Sequence, residues 1–372
     1  MLFTKPGRRV LVLLFVAVIW VPLTVMLVTP QQEVSELENR TLAPAPEFDI
    51  DAPEAFTAEF EEFFNDHFGF RQQLIYLYRL LEVKVFQVSR AGNVIFGRDG
   101  WMFQAGREQI ADIRNNWPYS DAEVVEWGRV LTDKHEALQE IGIEYLFVFA
   151  PNKHMVYPEK LPASMTRIRE TARVDQLVAY LREHTDVPFL DLRPALFEAK
   201  EYLRPYHRTD THWNAWGAYA GYRAVMDRLD DSVPGLRRVR LSPDDFARRQ
   251  IPGKDLSRTL SMQDELPEIE IHPADWRPEC AVYEGLPEEF TMTDQNNTAF
   301  STRCESGAGR LLMFRDSYSV AMMPYLSETF EYIHYFPASP VPLDGMLRVI
   351  EEEKPDIVIE ERSTRWLRKP YG

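Results

Sequence analysis

The chain has 372 residues, of which 45% are apolar and 12% aromatic. That is enough to bury a sizeable core in one large α/β domain with extensions or in two smaller domains, and it excludes wholesale disorder. With 42 Lys and Arg against 58 Asp and Glu, the formal net charge of -16 argues against a surface that tracks phosphate backbones, so nucleic acid is not an expected partner.

The first predicted element is a membrane anchor. Lys5, Arg8 and Arg9 precede an uncharged apolar stretch, 10–28, whose helical length at about 1.5 Å per residue approaches the ~30 Å hydrocarbon layer. The basic flank before it and Glu33, Glu36 and Glu38 after it leave residues 1–9 in the cytoplasm and export the rest. The stretch is longer than a signal-peptide core and ends in Met26-Leu27-Val28-Thr29-Pro30 rather than a small-x-small site, which favours an uncleaved anchor. In an oxidising compartment Cys280 and Cys304 can close a disulfide; two separate buried thiols are the other reading, and both stay open.

Residues 30–53 are acidic and proline-bearing, which predicts an extended stalk. Phe56, Phe60, Phe63 and Phe64, followed by Leu74, Leu77 and Leu81, recur at helical spacing and predict a helical segment whose aromatic face docks on the body. Stalk and helical segment together occupy 29–94. From 95 to 372 short apolar runs at 146–149, 189–192, 311–314, 333–336 and 357–359 alternate with helical patterns at 121–140, 173–183, 214–229, 320–329 and 343–352. This alternation predicts a three-layer α/β domain with a mainly parallel sheet. The proline-rich, polar stretch 231–309 is expected to form an insertion or cap outside the main sheet.

In open parallel sheets the ligand crevice lies beyond the carboxyl ends of the strands. The run from Leu311 to Ser319 reads as a strand turning sharply into a helix, with Ser317 at the bend. Such a bend brings Oγ near the first amides of the helix, which can receive a developing oxyanion. Asp316 and Ser317 also read as an ordinary helix cap. Asp210-Thr211-His212-Trp213-Asn214 shifts the balance toward chemistry. Residues i and i+2 of an extended segment project to the same side, so Asp210 can orient the His212 ring and leave its other nitrogen facing outward. An oriented imidazole is what activates a serine. Asn214 then reads as the cap of the next helix.

His207, Asp210 and His212 can also ligate a divalent metal. No H-E-x-x-H run is present, and His67, His135, His154, His184, His272 and His334 are scattered, so neither a metal nor a cofactor is expected. Pro151-Asn152-Lys153, after the clearest apolar run, supplies either an amide or a cation to an oxyanion, or a simple turn.

These residues resemble the SGNH-hydrolase-like domain of the alginate O-acetyltransferase family, the AlgJ and AlgX type. The resemblance rests on Glu38-Asn39-Arg40 with Leu42 and Pro44, Asn65-Asp66-His67-Phe68-Gly69-Phe70-Arg71, Gly97-Arg98-Asp99-Gly100-Trp101-Met102-Phe103, Ala150-Pro151-Asn152-Lys153 with Tyr157-Pro158, Asp210-Thr211-His212-Trp213 and Asp316-Ser317-Tyr318-Ser319, in that order. It implies Ser317 as nucleophile, His212 as general acid/base and Asp210 as the orienting carboxylate. Beside these, Asn152, Lys153, Tyr318 and Arg315 are substrate-binding or oxyanion candidates. Arg315 stands where an SGNH block has glycine, so the oxyanion donors of ordinary esterases do not transfer. The short stretch after the last strand leaves no room for a carbohydrate-binding module, which is nearer the AlgJ type.

The activity implied is transfer of an acetyl group through a serine acyl-enzyme to a hydroxyl of a secreted polysaccharide. The implied donor is a membrane-bound O-acyltransferase, with the chain anchored once in the inner membrane and its catalytic domain in the periplasm. Alginate itself is implied less firmly, because a body of this charge repels an anionic polymer unless the cleft is locally basic. The same residues would serve a carbohydrate acetylesterase, and an anchored scaffold of a polysaccharide export complex needs no catalysis at all.

Overall fold

The uncharged stretch after Arg9 forms helix α1 (Lys5–Val28) in a computed structural model that describes residues 5–30, 33–35, 40–48, 50, 53–86, 88, 93–229, 233, 235–286, 297–338 and 340–370. Over Gly7–Val28 its mean hydropathy reaches 2.9. Among the described residues it alone is long and apolar enough to cross a bilayer, as either an anchor or a signal sequence.

The chain divides into two units, residues 1–89 and 90–372. In the first, β1 (Val34–Ser35) pairs antiparallel with β2 (Arg40–Thr41), and α2 (Pro53–His67) leads into α3 (Arg71–Leu81). The phenylalanines of α2 form a ladder, with ring centroids 6.0 Å apart for Phe56 and Phe60, 6.2 Å for Phe60 and Phe64, and 5.6 Å for Phe64 and Phe68. Asp66 and His67 both bind the backbone of Ala43: Asp66 accepts from its amide at 2.9 Å and His67 Nε2 donates to its carbonyl at 2.8 Å. A Cβ at Gly69 would collide with the Pro22 carbonyl, so only glycine fits that approach. Leu74, Leu77 and Leu81 are exposed. Glu38 and Asn39 lie outside the described residues.

The second unit opens with the hairpin β3 (Val94–Phe96) and β4 (Met102–Gln104), followed by α4 (Arg107–Ile113). The body then alternates as the apolar runs predict: α5 (Asp121–Glu140), β5 (Glu144–Ala150), α6 (Lys153–Val156), α7 (Arg173–His184), β6 (Phe189–Asp191), α8 (Arg193–Lys200) and α9 (Ala215–Leu229). A two-stranded hairpin of β7 (Phe246–Ile251) and β8 (Glu268–Pro273), with α10 (Asp255–Thr259) between its strands, comes next. Then follow β9 (Val282–Glu284), β10 (Phe300–Arg303), β11 (Arg310–Phe314), α11 (Met323–Ser327), β12 (Tyr332–Phe336), α12 (Leu343–Glu353) and β13 (Ile357–Ser363). Seven strands form the main sheet in the order β6-β5-β13-β11-β12-β10-β9. The first five are mutually parallel, while β10 runs antiparallel to both its neighbours.

Period-two alternation divides each strand between two apolar layers. Leu146, Val148, Leu311, Met313 and Ile359 face Trp216, Tyr219 and Tyr222 of α9. Tyr145, Phe147, Phe149, Leu312 and Val358 face Trp127 and Leu131 of α5, Leu177 of α7 and Met346 of α12. Helix α5 starts at a capping box, in which Ser120 Oγ accepts from the Glu123 amide and the Glu123 carboxylate accepts from the Ser120 amide at 2.8 Å.

Three elements depart from the sequence pattern. Stretch 231–309 is not wholly outside the sheet, because β9 and β10 extend it through antiparallel pairing, and their short, partly polar strands carry little hydrophobic signal. The helix expected at 320–329 is split into a 3₁₀ turn, Ser317–Ala321, and α11, whose Pro324 lacks an amide and fits only a helix's first turn. Strand β13 continues past its apolar residues through Glu360, Glu361 and Arg362, all fully buried.

The charges of Glu360 and Arg362 fit because they are paired. Glu360 accepts from Lys134 Nζ at 2.6 Å, Tyr145 OH at 2.8 Å and Arg362 at 3.1 Å. Burial opposes its ionisation, but Lys134 and Arg362 outweigh burial and hold the carboxyl below its usual range. Cys280 and Cys304 are joined in a disulfide, which in the chain-entropy account stabilises the fold by about 3 kcal/mol.

Glu360→Ala would leave Lys134 and Arg362 buried without their shared carboxylate. A loss of about 3–5 kcal/mol in unfolding free energy is expected by denaturant titration; a change below about 1 kcal/mol would contradict this account of the network.

Candidate active site

Strands β5, β11 and β13 end at the same edge of the sheet, and their following residues build the floor of the site. After Phe314 the chain bends at Asp316, whose Oδ1 caps the 3₁₀ turn by accepting from the Tyr318 amide at 2.8 Å. Its Oδ2 accepts from the Ser363 amide at 2.8 Å, and its own amide donates to Glu361 at 3.1 Å. Burial and the Asp316 charge push the Glu361 carboxyl well above its usual range. Asp316 is therefore the cap that the sequence allowed for, and it fixes the bend that presents Ser317.

The loop before α9 brings the other half. His212 Nδ1 lies 2.8 Å from Asp210 Oδ1, the His212 amide also donates to that oxygen at 3.0 Å, and His212 Nε2 lies 2.8 Å from Ser317 Oγ. Spacing i and i+2 thus orients the ring as predicted, and Asn214 caps α9 by accepting from the amides of Trp216 and Gly217 at 3.0 and 3.1 Å. Burial would raise Asp210, but its hydrogen bonds to the ring and the amide of His212 prevail and hold it well below the usual carboxylate range. It remains an anion across physiological pH.

This loop is held from several sides. Lys153 Nζ donates to the carbonyls of His207 at 3.1 Å, Arg208 at 3.0 Å and Asp210 at 2.6 Å. The Trp101 and Phe103 rings lie 5.6 and 5.2 Å from that nitrogen, and the Met102 amide donates to the Arg208 carbonyl at 2.9 Å. Burial pushes Lys153 down to about 7, against the charges of Asp210, Asp255 and Glu268. The buried Glu268 carboxylate accepts from the Thr209 amide at 2.7 Å and hydroxyl at 2.9 Å. Asp255 does the same for Thr211, at 2.9 and 2.7 Å.

The two halves are locked to each other. Trp213 Nε1 donates to the Tyr318 carbonyl at 2.9 Å, and Tyr318 OH donates to the Thr211 carbonyl at 3.0 Å. The His212 and Tyr318 rings lie 4.9 Å apart. The remaining candidates take different places. Asn152 is turned away from Ser317: its amide nitrogen donates to Asp112 at 3.1 Å and its oxygen accepts from Arg365 at 3.1 Å. Lys153 acts beneath the loop rather than in the cleft. Arg315 is buried with its guanidinium 5.8 Å from the Phe300 ring centroid, and it does not line the cleft that opens on Ser317.

Asp255 and Glu268, which the sequence reading did not single out, anchor the histidine loop. Their only sequence signal was a carboxylate in a polar stretch, common to many residues there. Asp210, His212 and Asp255 offer ligand atoms within 4.8 Å of one another, a different trio from His207, Asp210 and His212. His212 Nδ1 and both Asp255 oxygens are already engaged with Asp210 and Thr211, so these donors are arranged for hydrogen bonding rather than converging on a cation.

Ser317, His212 and Asp210 open on a cleft of about 570 Å³. Arg249, Lys254, Glu270 and Arg277 lie on its walls together with Trp213, Trp276 and Tyr325.

Residues 94–273 match the family model described as SGNH hydrolase-like domain, acetyltransferase AlgX. The chain is 24% identical over 179 residues to a protein of Pseudomonas syringae pv. tomato named "Probable alginate O-acetylase AlgJ", covering 48% of this chain and 44% of that one. It is 26% identical over 175 residues to its namesake from Pseudomonas aeruginosa, covering 47% and 41%. It thus spans under half the length of these curated relatives. In fold it resembles Bacillus cereus PatB1 solved with a sulfonyl adduct, with a TM-score of 0.53, 16% identity, and coverage of 74% of this chain and 97% of that one.

Lys153 provides a pH-dependent check on the loop. An unfolded lysine keeps its proton to about pH 10.4, whereas the folded group releases it near 7. Between those values the unfolded chain binds more protons, so stability rises with pH. Relative to Lys153→Met, the wild-type protein should gain about 1 kcal/mol per pH unit from pH 7 to 9 in denaturant titrations; parallel stability curves would contradict this burial of the ammonium.

Proposed function

We propose that this chain, whose residues 94–273 match the model of an SGNH hydrolase-like acetyltransferase domain, is a serine O-acetyltransferase that acetylates an exported polysaccharide. The observation that carries this reading is the continuous hydrogen-bond chain from Asp210 through His212 to Ser317, with a link of 2.8 Å on each side of the imidazole.

Ser317 Oγ attacks the carbonyl carbon of the acetyl donor while its proton passes to His212 Nε2, and Asp210 stabilises the imidazolium that results. Collapse of the tetrahedral intermediate breaks the bond to the donor's leaving group, which takes the proton from His212. In the second half, a sugar hydroxyl gives its proton to His212 and attacks the acetyl-serine carbonyl; Ser317 leaves and regains that proton. The Tyr318 amide is committed to Asp316, so the backbone donor assigned to the oxyanion is the Ser317 N–H at the start of the turn.

The walls of the cleft favour an anionic acceptor. Arg249 and Lys254 share Glu270, at 2.6 and 3.6 Å, and Arg277 adds a third cation. The cleft is thus locally basic within a chain of formal charge -16, which gives a uronate-bearing polymer a place to land. The relatives' printed names point the same way, toward alginate.

The catalytic body, 95–372, is proposed to stand in the periplasm on a single inner-membrane anchor at 10–28, with 29–94 between them. That placement lets a membrane-bound O-acyltransferase hand over acetyl groups from within the bilayer.

Incubation with an aryl acetate and an alginate oligosaccharide tests the reading. The wild-type protein should form acetylated sugar, Ser317→Ala should lose at least about 10³-fold of that rate, and Asp210→Asn about 10³–10⁴-fold. Undiminished transfer by folded Ser317→Ala would overturn the proposal, and acetate release independent of the sugar would identify a hydrolase instead.

A further inference from the structure

Between β8 and β9 the chain folds back past Ser317 and supplies one wall of its cleft through Trp276, Arg277 and Pro278. The Trp276 indole stacks on the Tyr325 ring with centroids 4.8 Å apart and planes inclined by 29°. Tyr325 is buried, and its hydroxyl donates to the Ala215 carbonyl at the start of α9 at 3.2 Å. The indole therefore has a rigid backing and lines the cleft. Arg277 donates to the carbonyls of Trp276 at 2.6 Å and of Pro273 and Ala274 at 3.4 Å. Among the described residues no carboxylate pairs with it.

A further polar group on this cleft is unexplained by the triad. His207 lines it with 6% of its surface exposed, and its Nδ1 has no hydrogen-bond partner among the described residues. Burial and the nearby Lys254 charge keep its imidazole neutral, well below the usual histidine range. A buried polar atom without a partner is costly, and a hydroxyl that reaches His207 from the cleft would offset that cost.

The wall is latched at its far end. Cys280 is bonded to Cys304, beyond β10, and the amides of Cys280 and Ala281 both donate to one Glu328 oxygen, at 2.9 and 2.8 Å. None of these groups belongs to the hydrogen-bond chain of Asp210, His212 and Ser317, so the latch holds the wall without touching the triad.

An aromatic face, a neutral imidazole and a guanidinium match the chemistry of one uronate pyranose. Its C–H face packs on an indole, its hydroxyls exchange hydrogen bonds with an imidazole nitrogen, and its carboxylate accepts from a guanidinium. We propose that Trp276, His207 and Arg277 form the subsite for the acceptor sugar, and that the Cys280–Cys304 disulfide holds this subsite in register with Ser317. The proposal rests on the reading of Ser317 as acyl carrier. It adds that recognition of the acceptor depends on a segment the triad does not need.

The test is direct binding of an alginate oligosaccharide to the full chain in detergent, in a Ser317→Ala background where no transfer occurs. Adding Trp276→Ala should weaken binding about tenfold or more, and Arg277→Ala should weaken it for a uronate oligosaccharide but not for a neutral one of equal length. Paired Cys280→Ser and Cys304→Ser, checked for cooperative unfolding, should reproduce the Trp276→Ala loss. With Ser317 present, the same changes should raise the acceptor KM more than they lower the rate of serine acetylation. Binding unchanged by Trp276→Ala would overturn the subsite, and so would equal losses in both half-reactions of a folded protein. If binding depends on Trp276 but Ser317 never acquires an acetyl group, the subsite stands and the acyl-carrier reading falls.

Discussion

Two loops separated by about a hundred residues must meet within one hydrogen bond, and the contact that makes them do so is the reciprocal lock between Trp213 and Tyr318. The indole N–H of the first donates to the backbone of the second, and the hydroxyl of the second donates to the backbone beside the first. Both side chains are buried, so each of these bonds is exchanged for no water, and breaking either leaves an unsatisfied polar group inside the protein. The separation of 2.8 Å between His212 and Ser317 follows from that lock. Lys153 completes it from below by binding three carbonyls of the histidine loop. A lysine is otherwise an expensive core residue, and its ammonium is tolerated because backbone oxygens and nearby carboxylates replace its hydration shell.

What could be read from the sequence was what is local. Asp210 and His212 share a face because the backbone between them is extended, and Asp316 caps because the strand before it turns into a helix. The parallel strands announced themselves as short apolar runs, and β5, β11 and β13 are buried on both faces. Failures occur where a residue's role depends on a distant partner. Glu360 and Arg362 in β13 look like the end of a strand until Lys134 and Tyr145, from α5 and β5, are placed beside them. Asp255 and Glu268 are ordinary acids in a polar stretch until the fold sets them against Thr211 and Thr209. Asn152 and Arg315 failed in the opposite sense: both follow the right strands, yet tertiary partners draw their side chains away from the cleft. The disulfide was equally undecidable, since pairing depends on β10 bringing Cys304 beside Cys280.

Charge is distributed in a way that composition conceals. An acidic chain encloses a cleft bordered by Arg249, Lys254 and Arg277, and the balance there, rather than the total, sets the field that a ligand meets. The exported setting proposed for this body suits a wall whose latch is a disulfide, because such bonds persist outside the cytoplasm.

The central claim is that Ser317 carries the acyl group. It is tested most directly by mixing the protein with an acetyl donor in the absence of any sugar, quenching with acid, and locating modified peptides by mass spectrometry. The account predicts a single acetyl ester on the peptide containing Ser317, which disappears when oligosaccharide is added. Donor consumption with no acetyl ester on that peptide, or with the ester on another residue, would contradict it.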